Sequence, residues 1–95
     1  MKQPCVYLLA SGRNGTLYAG VTANLLARIS QHREGLTEGF TKKYRVHTPV
    51  WFEFHSTMAE AIAREKSIKE WWRAGKIELV EALDPYWLDL HPSLV

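Results

Sequence analysis

Two short apolar runs, Cys5–Ala10 and Thr16–Val21, flank an Asn14-Gly15 pair. Asn-Gly between strand-like runs marks a tight β-hairpin, because a type I′ turn needs φ > 0 at both central residues. With Asn14 and Gly15 in those places, Leu9 faces Gly20, Ser11 faces Tyr18 and Tyr7 lies level with Thr22. Side chains alternate faces along a strand, so Tyr7 and Tyr18 point to the same side. Any loop with an even number of residues keeps them there. A helix follows, capped by Thr22 or Asn24. Its apolar side is Leu25, Leu26 and Ile29, and Asn24, Arg28 and His32, at i, i+4 and i+8, form a polar stripe. Arg33-Glu34-Gly35 ends it, with Gly35 as the C-terminal cap.

The stretch Leu36 to His47 carries Gly39, Thr41, Lys42, Lys43, Tyr44 and Arg45 and reads as a basic loop. Pro49 opens a third strand, Val50–His55, in which Val50, Phe52 and Phe54 alternate against Trp51, Glu53 and His55. Thr57-Met58-Ala59-Glu60 is a capping box that starts a second helix. At ~100° per residue, its apolar stripe is Met58, Ala61, Ile62, Ile68 and Trp72, and Glu65 falls in the middle of it. A carboxylate there is costly unless it is paired or holds a cation. A salt bridge to Lys69 or Arg28 would satisfy it as well as a metal, and a small roll of the helix would move it to the stripe's edge. Trp71 and Trp72 read as core and groove wall, with Lys66, Lys69, Arg73 and Lys76 as basic surface beside them. Gly75 breaks the helix, and Lys76–Leu83 forms a third one with Ile77, Val80 and Leu83 inward. Asp84-Pro85 stops it, and Tyr86-Trp87-Leu88 lies back over apolar surface. The pattern predicts one α+β domain over residues 1–95: a three-stranded antiparallel sheet flanked by three helices, with its core in 4–83 and a tail in 84–95.

Composition agrees with a folded domain and narrows its class. Of the 95 residues, 46% are hydrophobic and 12% aromatic, which excludes a disordered tail. No apolar run approaches the ~20 residues of a membrane span. The short apolar run near the N-terminus belongs to the hairpin, not to a signal peptide. Cys5 is the sole cysteine, so no internal disulfide can form; it reads as a core residue in a reducing, cytoplasmic setting. The net charge is only +2, but it is unevenly spread. Lys2, Arg13, Arg28 and Arg33 meet no acid before residue 34, whereas Glu78, Glu81, Asp84 and Asp89 meet no base after residue 77. A basic body with an acidic end suits a polyanion held on one face of a monomer. His47, His55 and His91 lack metal-ligand spacing.

The hairpin and first helix together present two phenols, a guanidinium and an imidazole. The same residues also read as half-buried tyrosines beside a solvated helix face. Lys42, Lys43 and Arg45 around Tyr44, with Lys69 from the later helix, could hold phosphates while the phenol stacks on a base or sugar. A solvated loop would look the same. Phosphodiester hydrolysis needs an activated water, stabilisation of the equatorial oxygens and help for the leaving oxygen. Arg28 is the right group to clamp a phosphate, and Glu65 could hold Mg²⁺ together with waters and substrate oxygens. A phenol of pKa about 10 needs nearby positive charge to act as base. His32 is better tuned and could act directly or take the proton from a phenol.

In this order, Val6-Tyr7, Tyr18-Ala19-Gly20, Arg28, His32 and Glu65 resemble the GIY-YIG nuclease domain. The pattern is most similar to small stand-alone bacterial GIY-YIG proteins, relatives of the excision-repair incision domain and of certain homing endonucleases. Gly20-Val21-Thr22, Gly39-Phe40-Thr41-Lys42-Lys43-Tyr44, Ala63-Arg64-Glu65-Lys66 and Asp84-Pro85-Tyr86-Trp87 extend the resemblance over about residues 4 to 89. It implies that Tyr7 and Tyr18 are the motif tyrosines, Arg28 the phosphate clamp, His32 the proton-relay position and Glu65 the single acidic metal ligand. It also implies that Gly20 lets the backbone approach closely. The motifs depart in reading Cys5-Val6-Tyr7 and Tyr18-Ala19-Gly20, and Val21 stands where some relatives have lysine. The expectation is an endonuclease using Mg²⁺ or Mn²⁺ on DNA, branched, flapped or damaged strands included, in repair or recombination. The alternatives are a nucleic-acid-binding module with little turnover, and a repair-complex subunit recruited by a protein partner through Trp87 and the acidic tail.

Overall fold

The computed structural model describes residues 3–35 and 39–94. Strands β1 (Cys5–Ala10), β2 (Leu17–Thr22) and β3 (Thr48–Phe54) form one antiparallel sheet in the order β2-β1-β3. Every residue of β1 is buried, because the strand is central and both of its faces are covered. Cys5, Tyr7 and Leu9 pack with Leu25 and Ile29 of helix α1 (Leu25–Arg33) and with Val46. Val6, Leu8 and Ala10 pack with Ala61 and Ile68 of α3 (Met58–Glu70), Val80 of α4 (Arg73–Leu83) and Trp87. The expected α+β architecture is therefore present as helix, sheet and helix layers. Burial pushes the Cys5 thiol up to about 11, an unreactive core group.

The hairpin register differs from expectation by two residues. Ser11 N–H bonds to Thr16 O (3.0 Å) and Gly15 N–H to Gly12 O (2.9 Å), so the loop is Gly12–Gly15. Only Asn14 of the central pair has positive φ, at 57°. Tyr7 consequently pairs with Gly20, Leu9 with Tyr18 and Cys5 with Thr22. A four-residue loop preserves the even count, so Tyr7 and Tyr18 still share a face.

The third strand begins at Thr48 rather than Val50, and its alternation breaks at a β-bulge. Leu8 pairs with Trp51 but Leu9 with Pro49. Val50, the extra residue, turns to the α3 face beside Trp51, while Phe52 and Phe54 stay on the α1 face. Pro49 costs no inner ladder bond because β3 is an edge strand.

The basic stretch is not all loop. Phe40–Lys43 forms the short helix α2, with Lys43 N–H bonded to Gly39 O (3.0 Å); residues 36, 37 and 38 lie outside the described residues. Arg45 takes a left-handed φ of 55°, and Val46 N–H returns to Thr41 O (2.9 Å). This turn buries Thr41 and Val46 and leaves Lys42, Lys43, Tyr44 and Arg45 exposed.

Helix α3 starts as expected, with Thr57 Oγ1 accepting from Glu60 N–H (3.2 Å). It ends at Glu70, because Trp71 and Trp72 are extended, and α4 begins at Arg73 with Gly75 inside its first turn. The chain thus breaks before Gly75, not at it. With the stripe cut there, Ala61 and Ile68 point inward, Ile62 is exposed and Trp72 is 88% exposed, so it is no core residue. Leu83, expected inward, is exposed as well. Trp71 is half-buried, under the Arg64 guanidinium at 5.3 Å. Asp84 N–H closes α4 on Val80 O (2.7 Å). Trp87, 5% exposed, enters the core and donates its indole N–H to Glu81 Oε2 (2.8 Å). A docking surface built on Trp87 is ruled out by that burial; Tyr86 and Leu88 are the exposed side chains of the segment. Among the described residues, no helix is long and apolar enough to cross a membrane.

Trp87→Ala should lower unfolding stability by about 3–5 kcal/mol through the cavity it leaves. Tyr86→Ala, one residue away on the surface, should stay within about 0.5 kcal/mol of wild type. Urea unfolding of both variants checks the contrast.

Candidate functional site

Helix α1 turns Arg28 and His32 toward the sheet, while Gln31 and Arg33 stay exposed. Thr22 Oγ1 accepts from Asn24 N–H (3.1 Å), and Asn24 Oδ1 caps the helix by accepting from Ala27 N–H (3.2 Å). Asn24 is spent as cap, so Arg28 and His32 remain of the polar stripe. With Leu25 and Ile29 anchored in the core, the next positions around the helix lie over Tyr7. His32 is only 6% exposed, which rules out a solvated face there.

Tyr7 is 1% exposed and its ring lies across Gly20, its cross-strand partner. A Cβ on Gly20 would collide with the Tyr7 ring and hydroxyl. The glycine therefore makes room for a side chain, where the motif resemblance implied a close backbone approach. Arg28 Nε–H donates to Tyr7 Oη at 3.4 Å, and Tyr7 Oη lies 3.3 Å from His32 Nε2. Arg28 Nη1 also donates to Gln31 Oε1 at 3.2 Å. Tyr18 completes the group, its ring 6.0 Å from that of His32.

Electrostatics gives this chain a direction. Burial, then the positive charge of Arg28 and the His47 ring, lower the His32 pKa from 6.5 to about 4. His32 is neutral near pH 7, and in the tautomer with its proton on Nδ1 the Nε2 atom accepts. Burial raises the Tyr7 phenol above 10, and the bond and charge of Arg28 offset only part of that. The phenol is therefore protonated; it accepts from Arg28 and, in that tautomer of His32, donates to Nε2. Arg28 alone does not turn Tyr7 into a phenolate, contrary to what a neighbouring cation suggests.

Glu65 projects from α3 and is close enough to Tyr7 to oppose ionisation of the phenol. Its side chain is 14% exposed, and its ion pair is with Lys69 Nζ at 3.6 Å rather than with Arg28. That distance is too long for a good hydrogen bond, so the carboxylate retains free acceptor capacity. Among the described residues, no group of three or more His, Cys, Asp or Glu gathers into a metal site. A lone carboxylate fits Mg²⁺, which keeps several waters and takes substrate oxygens, and does not fit a closed zinc cage.

Lys42, Lys43 and Arg45 make no hydrogen bond or ion pair with Tyr7, Arg28 or His32 among the described residues. Lys43 lies over the Tyr44 ring at 5.3 Å. Two contributors were not legible as such: Gln31, which steadies Arg28, and His47, which acts on His32. Gln31 lies three residues from Arg28 and could have been found from helical spacing. Nothing local in the sequence points from His47 to His32.

Sheet, helices and side chains together are those of a nuclease-type domain. The model of the GIY-YIG catalytic domain matches residues 3–78, and the chain belongs to the GIY-YIG family. It is 35% identical over 81 residues to the UPF0213 protein SH2523 of Staphylococcus haemolyticus, covering 85% of this chain and 98% of that one. The UPF0213 protein SA0446 of Staphylococcus aureus is 34% identical over 72% of this chain and 83% of its own. The fold is similar to the solution NMR structure of the UPF0213 protein BH0048 of Bacillus halodurans, with TM-score 0.54 and 27% identity. That similarity covers 88% of this chain and 89% of that one.

The buried imidazole predicts a pH-dependent stability. The unfolded His32 takes a proton near pH 6.5 and the folded one only near 4, so falling pH favours the unfolded chain. Wild type should lose up to about 3 kcal/mol between those values, with the contribution fully present above pH 6.5. His32→Gln should remove that part of the slope, as read from urea unfolding at pH 7.5, 5.5 and 4.5.

Proposed function

We propose that the protein is a metal-dependent endonuclease that hydrolyses phosphodiester bonds in DNA. The observation that carries this is the hydrogen-bonded chain Arg28–Tyr7–His32, with a neutral imidazole at its end and a largely covered carboxylate nearby. Glu65 would hold Mg²⁺ or Mn²⁺, which when bound supplies charge neutralisation at the phosphate and a more acidic water. Tyr7 would orient the attacking water and take its proton on Oη as its own proton passes to His32 Nε2. The imidazolium so formed is buried beside Arg28, and its low pKa makes it a ready donor to solvent or to the leaving oxygen. Arg28 keeps N–H groups beyond those used on Tyr7 and Gln31, and these clamp the phosphate oxygens. No covalent intermediate is needed.

The exposed cations Lys42, Lys43 and Arg45, with Tyr44 among them, support a nucleic-acid face, and Lys69 extends it toward Glu65. A role in repair or recombination, acting as a cytoplasmic monomer, is the setting that best suits a small domain of this family.

Tyr7→Phe preserves ring and packing, so its loss of rate reports the hydroxyl. Cleavage should fall about 10²–10⁴-fold for Tyr7→Phe and for Arg28→Ala, with DNA binding weakened modestly. Single-turnover assays with Mg²⁺ and Mn²⁺ check this, and a Tyr7→Phe protein cleaving at the wild-type rate would eliminate the phenol as base.

Glu65→Gln tests the metal ligand. Because Lys69 is half exposed, its pair with Glu65 contributes at most about 1 kcal/mol, and the variant should melt close to wild type. It should also stop cleaving and lose the calorimetric Mn²⁺ signal. A variant that melts far lower yet still cleaves would make Glu65 a structural partner of Lys69 only.

A further inference from the structure

On the opposite face of β2 from Tyr7 lies a pocket that the cleavage chemistry leaves unused. It has a volume of about 220 Å³ and is lined by Leu8, Leu17, Tyr18, Ala19, Lys69 and Lys76. Its walls are the edge strand β2, the end of α3 and the first turn of α4. Arg73 holds those walls together, its Nη2 donating to the carbonyls of Asn14 and Gly15 at 2.8 Å each. The pocket is thus built into the fold by a bond between α4 and the hairpin turn. Its lining joins the apolar side chains of Leu8, Leu17 and Ala19 with two lysines, Lys69 and Lys76.

A pocket lined by apolar side chains and two lysines suits a flat ring carrying a phosphate. The volume is below the ~300–1,000 Å³ of drug-sized sites, so it takes one ring and not an extended ligand. The outer backbone groups of an edge strand have no sheet partner and can bond to the edge of such a ring. Trp72, 88% exposed, stands at the α3–α4 junction between Lys69 and Lys76 in the chain. An indole offered to solvent beside lysines is a platform on which a neighbouring base can stack. Lys69 lines this pocket and pairs with Glu65 at 3.6 Å, so the pocket adjoins the carboxylate of the proposed cleavage centre.

We propose that this pocket is a nucleotide subsite for an unpaired stretch of the DNA strand. The phosphate sits between Lys69 and Lys76, the base lies on Leu17 and Ala19, and the next base stacks on Trp72. Duplex DNA presents phosphates but keeps its bases stacked, so it cannot fill the pocket. The subsite rests on the nuclease reading above and adds a preference for unpaired strands to it. Lys69 is unsuited to test it, because it also pairs with Glu65. Lys76 and Trp72 have no part in the proposed cleavage group.

The test is fluorescence anisotropy of the full chain in EDTA, with labelled oligothymidine of about eight nucleotides and a blunt duplex as probes. Lys76→Ala and Trp72→Ala should each weaken oligothymidine binding about tenfold. Lys76→Ala should also make the salt slope shallower by about 0.7, while duplex affinity changes less than about twofold. Trp72 is a surface residue, so its variant folds even if Lys76→Ala does not. Wild-type binding of oligothymidine by both variants, or an equal loss of duplex affinity, would overturn the subsite and leave the nuclease reading standing. A wild-type protein that binds neither probe would overturn both.

Discussion

The hydroxyl of Tyr7 is the point on which the site depends. It lies inside the protein, accepts from Arg28 and faces His32, and it can do so only because Gly20 leaves space across the ladder. The partners come from three elements: Tyr7 from the central strand, Gly20 from the edge strand, and Arg28 and His32 from α1. Their meeting needs the hairpin register, the Asn24 cap and the anchoring of Leu25 and Ile29 all at once. Burying a phenol and an imidazole without partners would cost several kcal/mol. Here each faces the other, so the hydrogen-bonded chain is also a packing solution.

The same burial settles the protonation states. An exposed histidine would be partly charged near neutrality, but His32 is held neutral by burial first, and then by Arg28 and the His47 ring. An exposed tyrosine near arginine would be more acidic, but Tyr7 is less so, because the lost hydration outweighs one guanidinium. A pair with a reluctant acid and a reluctant cation moves a proton only when something else stabilises the charge. Glu65, near enough to oppose ionisation of the phenol, adds to that reluctance.

The opposite face of the sheet carries the mechanical work. Ala61, Ile68, Val80 and Trp87 cover it, and the bulge at Val50 turns an extra apolar side chain toward them. Glu53 ties β3 to α3, accepting from Arg64 (3.1 Å) and facing His55 (2.7 Å). Arg33 and Asp89 join α1 to the C-terminal segment. The acidic end is therefore partly spent inside the molecule, which leaves less of it to repel or attract a partner than its composition suggests.

Local rules were enough for the hairpin, the third strand and the longer helices that flank the sheet, and for much of the site, but not for the short helix Phe40–Lys43. The Asn14-Gly15 pair marks the hairpin, Thr57 marks the start of α3, and an even loop puts Tyr7 and Tyr18 on one face whatever the register. Helical spacing also joins Arg28 to His32. Each of these depends on backbone periodicity, which acts over a few residues. What the tertiary structure decided has a longer range. The two-residue shift in register, the bulge at Val50 and the helix break at Trp71 rather than Gly75 come from fitting covers to both faces of one strand. The protonation of Tyr7 and His32 comes from burial, and His47 reaches His32 only because β3 starts where it does. Hydration and packing are properties of the assembled layers, so no window of sequence contains them.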